Sequence, residues 1–300
     1  PLIISGEESE IIGGVSSPIS IYEIEDAKVD LKSYSPKNLL PKLNLELIKQ
    51  INDYYQKIFN DDDIKWSGLE KLETNIKDKP VYIKSDVNIG EAEEINELSE
   101  GKILYIKGSL RLTKGTKLNN IDLIISENLY ILNGSTLENI NIICFGEVLI
   151  NGENHFSNCY IQSTEKLIIS GKSEFNNTVI YQTNIRESGI INGKIEIGGE
   201  TKINGFIISS LPGKFDKDDK VQTKARISKE VYINGGIINY GTTNFQGTLD
   251  GILYSGDFSD GKNKNYLKNA KIDRNKMDKN LYLPLYFKNL KPKVLEWKVY

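Results

Sequence analysis

The chain has 300 residues and a formal net charge of −3, so it lacks the excess of basic residues with which nucleic-acid binders neutralise phosphates. Its 43 isoleucines and 30 asparagines, against 4 alanines, favour strands and turns over helices. One histidine and two cysteines leave little material for a metal site or a Cys/His catalytic pair. We therefore expect a mainly β protein with no catalytic, cofactor-binding or metal-binding residues.

Residues 1–80 are predicted to form an N-terminal segment with a strand-like start and one helix. Residues 1–30 contain short apolar runs and a Gly-Gly turn, so we expect them to form part of a β-coil. The helix is predicted at about residues 44–60, where apolar residues recur at helical spacing: Leu45, Ile48, Ile51, Tyr55 and Ile58. We expect this helix to cap an open end of stacked β-structure, and a partner-binding helix is the alternative.

Four gapless repeat units follow, at 102–120, 121–139, 140–158 and 159–177. Three columns of this alignment are apolar and are predicted to line the core: Leu104, Leu123, Ile142 and Ile161; Leu112, Ile131, Ile150 and Ile169; Leu118, Leu137, Phe156 and Phe175. The last column of every unit is asparagine: Asn120, Asn139, Asn158 and Asn177.

A unit of this length is too short for a helix pair but can form one coil of a parallel β-solenoid. Such coils stack about 4.8 Å apart with like residues above like, so the asparagines are predicted to form a buried amide ladder at a left-handed corner. A right-handed coil is favoured because the strict hexapeptide period of left-handed solenoids is absent. A two-sheet β-sandwich with chance similarity is the alternative.

The solenoid is predicted to extend over residues 81–260, because residues 190–209 and 231–256 keep the short apolar strands and Gly/Asn corners. The polar stretch at about 211–230 is predicted to be a loop extruded from one corner. Residues 261–300 are predicted to form a C-terminal extension that packs on the solenoid.

Candidate chemistry is sparse. Glu127, Glu147 and Glu165 fall near one another on neighbouring units and could form an acidic line, although a solvated face is the favoured interpretation. The lone His155 is predicted to be a surface or turn residue. Cys144 and Cys159 fall in different columns, so no disulfide is expected, and Cys144 is predicted to be a buried thiol.

Three acidic clusters suggest calcium sites, but none has the spacing of an EF-hand loop, and solvated loops are favoured. They are Asp61–Asp63; Asp216, Asp218 and Asp219; and Asp257, Asp260, Asn263 and Asn265.

The stretches IINGKIEIGGETKINGFIIS (190–209) and VYINGGIINYGTTNFQGTLDGILYSG (231–256) combine short apolar strands with Asn-Gly corners. Over about residues 80–260 this pattern resembles the extracellular part of minor pilin-like proteins of clostridial type IV pili. That resemblance implies a hydrophobic N-terminal helix as anchor. The sequence begins at Pro1 and its one methionine is Met277, so we expect an anchor or signal to be missing from it.

The resemblance implies a non-catalytic minor subunit, or a tip or assembly component, of a surface fibre. Its partners would be other pilus subunits or surface proteins, with surface glycans as a further option, and it would contact the membrane only through the missing anchor. The implied location is extracellular or at the cell surface. A surface adhesin or carbohydrate-active β-helix protein is the alternative. A polymer similar to the bactofilins comes third, because bactofilins lack an N-terminal extension such as residues 1–80.

Overall fold

The sequence repeat appears in the structure as parallel strand pairing with a constant offset. Leu104 pairs with Leu123, and Ile142 pairs with both Leu123 and Ile161. The computed structural model describes residues 2–12, 15–17, 21–24, 26–30, 32–34, 45–67, 80–90, 102–113, 115–183, 193–209, 224–259 and 266–278. Within these ranges the protein is mainly β, and a parallel sheet of 22 strands dominates it.

The N-terminal part contributes six short strands and one helix. They are β1 (Leu2–Ser5), β2 (Glu10–Ile12), β3 (Val15–Ser17), β4 (Ile21–Ile24), β5 (Lys28–Val29), β6 (Lys32–Tyr34) and α1 (Leu45–Asn60).

The repeat region contributes short strands at regular spacing. They are β7 (Val81–Ile83), β8 (Val87–Ile89), β9 (Lys102–Ile106), β10 (Leu110–Leu112), β11 (Lys117–Asn119), β12 (Ile121–Ile125), β13 (Leu129–Ile131), β14 (Thr136–Glu138), β15 (Asn141–Cys144), β16 (Val148–Gly152), β17 (His155–Ser157), β18 (Tyr160–Ser163), β19 (Lys166–Gly171) and β20 (Glu174–Gln182).

The remaining strands are longer on average, and a 3-10 turn at Arg274–Lys276 follows them. They are β21 (Lys194–Ile197), β22 (Lys202–Ser209), β23 (Lys224–Ile227), β24 (Tyr232–Phe245), β25 (Thr248–Phe258), β26 (Tyr266–Lys268) and β27 (Lys271–Asp273).

The strands are arranged in three rows, and each repeat supplies one strand to each row. Row A begins β7, β9, β12, β15, β18; row B begins β8, β10, β13, β16, β19; and row C begins β11, β14, β17. Strands β20, β22, β24 and β25 bend from row C into row A, and β24 continues into row B, where it pairs with β23. These long strands join the three rows into one sheet.

The interior between the rows is filled by the predicted core columns. All twelve of the predicted core side chains are buried. Phe156 and Phe175, on neighbouring strands of row C, stack with their ring centroids 4.4 Å apart and an interplanar angle of 7°. Repetition of one apolar residue per column lets each level reproduce the packing of the level below it.

The N-terminal strands stack on the last strands of the chain rather than on the first. Strand β2 pairs with β27 and with β5, and β1 pairs with β26 and with β4. Ile4 and Leu267, which are partners in this pairing, are both buried. Strands β1, β2, β4 and β5 therefore continue the stack beyond β26 and β27, although they precede these strands in sequence.

The helix α1 packs on the outer face of row A and does not cap an end of the stack. Phe59 contacts the rings of Tyr105 and Phe145 at centroid distances of 6.4 and 5.9 Å, while Asn52 contacts Gln162 higher in the row. The prediction of an end cap was wrong because the outer face of row A is itself apolar: Tyr105, Ile124 and Ile143 are buried there. Covering such a face contributes about 25 cal/mol per Å².

Two further boundaries differ from the sequence prediction. Strand β23 lies inside the stretch predicted as an extruded loop, and it pairs in row B because Ala225 and Ile227 fill the interior. Residues 210–223 of that loop lie outside the described residues. Strands β26 and β27 belong to the stack rather than to a separate extension, and residues 279–300 lie outside the described residues.

The stacking order predicts that a destabilising substitution in β1 will also destabilise β26 and β27, which lie more than 260 residues later in the sequence. We expect Ile4→Ala to lower the free energy of unfolding by about 2–5 kcal/mol, the usual cost of a large-to-small core substitution. It should also speed hydrogen exchange of the amides in residues 266–273. Ile12→Ala, at a half-buried position of β2, is the control and should cost less. Faster exchange confined to residues near Ile4 in sequence would contradict the pairing.

Candidate functional surfaces

The asparagine column forms a ladder at the corner between rows C and A. Asn120, Asn139, Asn158 and Asn177 have φ angles of 53°, 53°, 54° and 48°. Asn158 Nδ2 donates to Asn139 Oδ1 at 3.1 Å, and Asn177 Nδ2 donates to Asn158 Oδ1 at 2.8 Å. The lowest bond runs from Asn139 Nδ2 to Asn119 Oδ1 at 3.1 Å. The left-handed conformation suits asparagine because its short polar side chain tolerates it better than most residues do.

The ladder lies at the surface, whereas we expected it to be buried. Asn120, Asn139 and Asn158 are exposed, and Asn177 is half-buried. The column of buried residues next to the corner is Ile121, Ile140 and Cys159, so the corner turns the apolar residue inward and leaves the amide outside. The ladder therefore fixes the corner conformation without occupying the core.

A second corner uses glycine instead of asparagine. Gly115, Gly134, Gly152 and Gly171, between rows B and C, have φ angles of 87° to 94°. A Cβ on Gly171 would lie 2.7 Å from the backbone nitrogen of Gly152, which leaves no room for a side chain. These two corners hold each repeat to the same outline.

A buried polar column was missed in the sequence. It comprises Thr116, Ser135, Asn154, Ser173 and Thr201. Asn154 Oδ1 accepts from the Ser135 backbone nitrogen, and Asn154 Nδ2 donates to Ser173 Oγ at 3.2 Å. The signal was present as a small polar residue at the fifteenth place of each unit. That place lies outside the apolar columns on which the prediction was based.

A small polar cluster fixes α1 on row A. Tyr160 Oη donates to Gln162 Oε1 at 2.8 Å, and Gln162 Nε2 donates to Asn52 Oδ1 at 2.7 Å. Lys107 Nζ donates to the Phe59 carbonyl oxygen at 2.6 Å and lies 5.5 Å from the centre of the Trp66 ring. A lysine at the C-terminal end of a helix also interacts favourably with the helix dipole.

The predicted acidic line does not form an isolated group of carboxylates. Glu147 is paired with Lys166, and Glu127 Oε2 accepts from Ser109 Oγ at 3.1 Å. The backbone of Glu165 bonds to Ser163 Oγ and Gln182 Nε2. The line is thus cross-linked to neighbouring strands by polar side chains, which is typical of a solvated sheet face.

The histidine and the cysteines take different positions. His155 is exposed in row C, with Nδ1 3.7 Å from Glu174 Oε2. Cys144 and Cys159 are both free and buried. Burial raises the pKa of the Cys144 thiol to about 12 and that of Cys159 to about 11, so both thiols stay protonated and unreactive near neutral pH.

The acidic clusters give no support to a calcium site where the structure describes them. Asp61, Asp62 and Asp63 are exposed, and Asp61 Oδ1 accepts from the backbone nitrogen of Asp63 at 2.9 Å, as in a local turn. Asp257 lies in β25, and the other predicted residues, from Asp216 to Asp219 and from Asp260 to Asn265, lie outside the described ranges. In the described ranges no three His, Cys, Asp or Glu residues are grouped to hold a metal ion.

Among the helical residues that the structure describes, none belongs to a helix long and apolar enough to cross a membrane. Comparison with protein-family models, with curated proteins and with solved structures found no match.

The ladder geometry predicts that replacing one of its asparagines lowers the free energy of unfolding, by an amount that depends on how well the new residue tolerates the left-handed conformation. Asn139→Ala should lower the free energy of unfolding by about 1–3 kcal/mol, because alanine is strained in the left-handed conformation and the ladder bonds are lost. Asn139→Gly keeps the conformation and should cost clearly less. Asn176→Ala, at an exposed position of β20 two strand levels away, is the control and should change the free energy of unfolding by less than about 0.5 kcal/mol. The measurement is urea unfolding followed by tryptophan fluorescence. Equal losses for Asn139→Ala and Asn139→Gly would show that the corner conformation is not the cause.

Proposed function

We propose that the stack is a β-solenoid in which the chain winds once per sequence repeat. Support comes from the order of the strands: each repeat supplies rows A, B and C in turn, and the apolar columns of all three rows share one interior. A right-handed coil remains the prediction from the period of the repeat. The two N-terminal turns, β1–β3 and β4–β6, then extend the same solenoid beyond β27.

We propose that the protein is a non-catalytic structural subunit at the cell surface, a minor or tip component of a type IV pilus or related fibre. The observation that supports this role is the integration of the N-terminal strands into the stack. Two backbone ladders join them to β26 and β27, and an ion pair links Glu8 to Lys229 at 3.0 Å. A force applied at the N-terminal segment would be shared among parallel backbone hydrogen bonds. This arrangement suits a subunit held in a fibre by a preceding anchor.

The solvent-facing carboxylates also favour a structural role over a hydrolytic one. A glycosidase needs two carboxyl groups flanking the scissile bond, one of them held protonated by an apolar site. Glu147 is instead neutralised by Lys166, and Glu127 bonds to Ser109. The proposed partners are accordingly other fibre subunits or surface proteins rather than a small-molecule substrate.

Fractionation of cells tests the surface role. Antibodies against the chain should label the fibre fraction sheared from intact cells, at far fewer copies than the main subunit, and deletion of the gene should change fibre number or length. The coding sequence upstream of residue 1 should encode a short basic leader with glycine before a hydrophobic helix. Label confined to the cytosol, with fibres unchanged by the deletion, would contradict the proposal.

Turnover assays test the non-catalytic part of the proposal separately. The purified chain should release no detectable products from polygalacturonate or other acidic polysaccharides over hours. Product formation that survives repurification and disappears in Glu147→Gln would show instead that the acidic line is an active site.

A further inference from the structure

One face of the stack carries a line of uncharged amides. We call this line the amide strip and define it by one residue on each of five consecutive strand levels of row C and its corner: Asn139, Asn158, Asn176, Asn204 and Asn234. Four steps of about 4.8 Å give the strip a length of about 19 Å along the stack. The fibre role proposed above was argued from the N-terminal strands and does not depend on this face.

Much of the hydrogen-bonding capacity of the strip faces solvent. A carboxamide has two N–H donors and two acceptor lone pairs, and a ladder bond uses one of each. Asn139 and Asn158 are exposed, so their remaining donors and acceptors repeat at the spacing of the strands. Asn176 is exposed as well, whereas Asn204 and Asn234 are half-buried. Asn204 Oδ1 is buried without a hydrogen-bond partner among the described residues, and Asn234 Oδ1 accepts from the backbone nitrogen of Asp278 at 2.9 Å. The three exposed carboxamides of the strip, on consecutive strand levels, therefore offer donors and acceptors at the strand spacing.

An exposed aromatic ring stands at the upper end of the strip. Tyr232 lies in the same strand as Asn234, and its side chain is 37% exposed. Among the described residues, Tyr54 on α1 is the one other large apolar side chain with such exposure. Tyr232 Oη donates to Asp250 Oδ2 at 2.6 Å, which fixes the ring at the surface. A ring with its polar end held in place presents a fixed apolar face.

The charges beside the strip compensate one another. In the neighbouring column of row C, Glu174 lies 3.7 Å from His155 and 3.4 Å from Lys202. The carboxylates of Glu138 and Asp250, in the column of the strip itself, would repel an anionic polymer. Recognition on this face must therefore come from hydrogen bonds and ring stacking.

We propose that the amide strip and Tyr232 bind an uncharged, extended polysaccharide whose chain runs along the stack. Sugar hydroxyls are donors and acceptors at once, which matches the carboxamides, and the apolar face of a pyranose ring stacks on tyrosine. An extended β-linked glycan presents its hydroxyls at intervals close to the strand spacing, whereas a helical glycan does not. This binding is independent of the fibre role, so either proposal can fail without the other.

Titration of the purified chain with cellohexaose and chitohexaose, followed by calorimetry, tests the proposal. We expect saturable binding of at least one of them, and weaker binding of maltohexaose, which is not extended, and of a polygalacturonate hexamer, which is anionic. Absence of saturable binding of both extended glycans, or equal affinity for the anionic hexamer, would overturn the proposal.

Variants locate the site. Tyr232→Ala should weaken binding at least tenfold, and Asn176→Ala, at an exposed carboxamide, should weaken it severalfold, while Tyr232→Phe should retain most of it because the ring remains. Tyr54→Ala removes the other exposed tyrosine and serves as the matched control, with unchanged affinity expected. Thermal unfolding of each variant shows that the fold is intact. Unchanged affinity of a folded Tyr232→Ala, or an equal loss in Tyr54→Ala, would overturn the placement of the site.

Discussion

Parallel pairing in register is the constraint from which the other features of this structure follow. Backbone hydrogen bonds between strands one repeat apart require each level to have the same outline as the one below it. A column must then hold residues of similar size and polarity, as the stacked rings of Phe156 and Phe175 show. A corner must repeat the same backbone conformation, which asparagine at one corner and glycine at another provide.

The same constraint explains how the rest of the chain is arranged. A stack of parallel strands leaves one apolar outer face along row A, and α1 lies against it because burial of that face is favourable. Gln162 and Asn52 bond to each other within this interface, and a polar pair in apolar surroundings favours one position of the helix. The edges of β26 and β27 are paired with β1 and β2. The N-terminal strands therefore cover strand edges near the C-terminal end of the described chain, which would otherwise be unpaired.

The repeat could be identified from the sequence because several columns hold the same type of residue in each of four consecutive units. Each column therefore gives independent evidence for the same period. The core columns and the left-handed asparagines lay where the alignment placed them. The prediction that the ladder is buried was wrong. A column of asparagines has the same sequence pattern whether its side chains point into the core or into solvent. The prediction that α1 caps an end of the stack was wrong because the fourth position of each repeat was not counted as apolar. That position holds Tyr105, Ile124 and Ile143 in the first three units, and all three are buried.

The pairing of β1 with β26 had no signal in the sequence, because segments at opposite ends of the chain carry no common period. The composition of residues 1–30 predicted short strands, but it did not predict which other strands they pair with. The amide strip was likewise invisible as a surface: its members come from units with different spacing, and only strand pairing aligns Asn176, Asn204 and Asn234.

A cross-link between the two ends of the sequence tests the stacking order most directly. Glu10 and Lys271 are exposed and directly paired across β2 and β27, so the double variant Glu10→Cys/Lys271→Cys should form a disulfide within one molecule. The native thiols Cys144 and Cys159 are buried and should not interfere. Glu10→Cys/Lys202→Cys, with cysteines four strand levels apart in the same column, should stay reduced. Peptide mapping under non-reducing conditions should find residues 10 and 271 joined in the monomer. A monomer that remains reduced, or a disulfide formed only between molecules, would contradict the account.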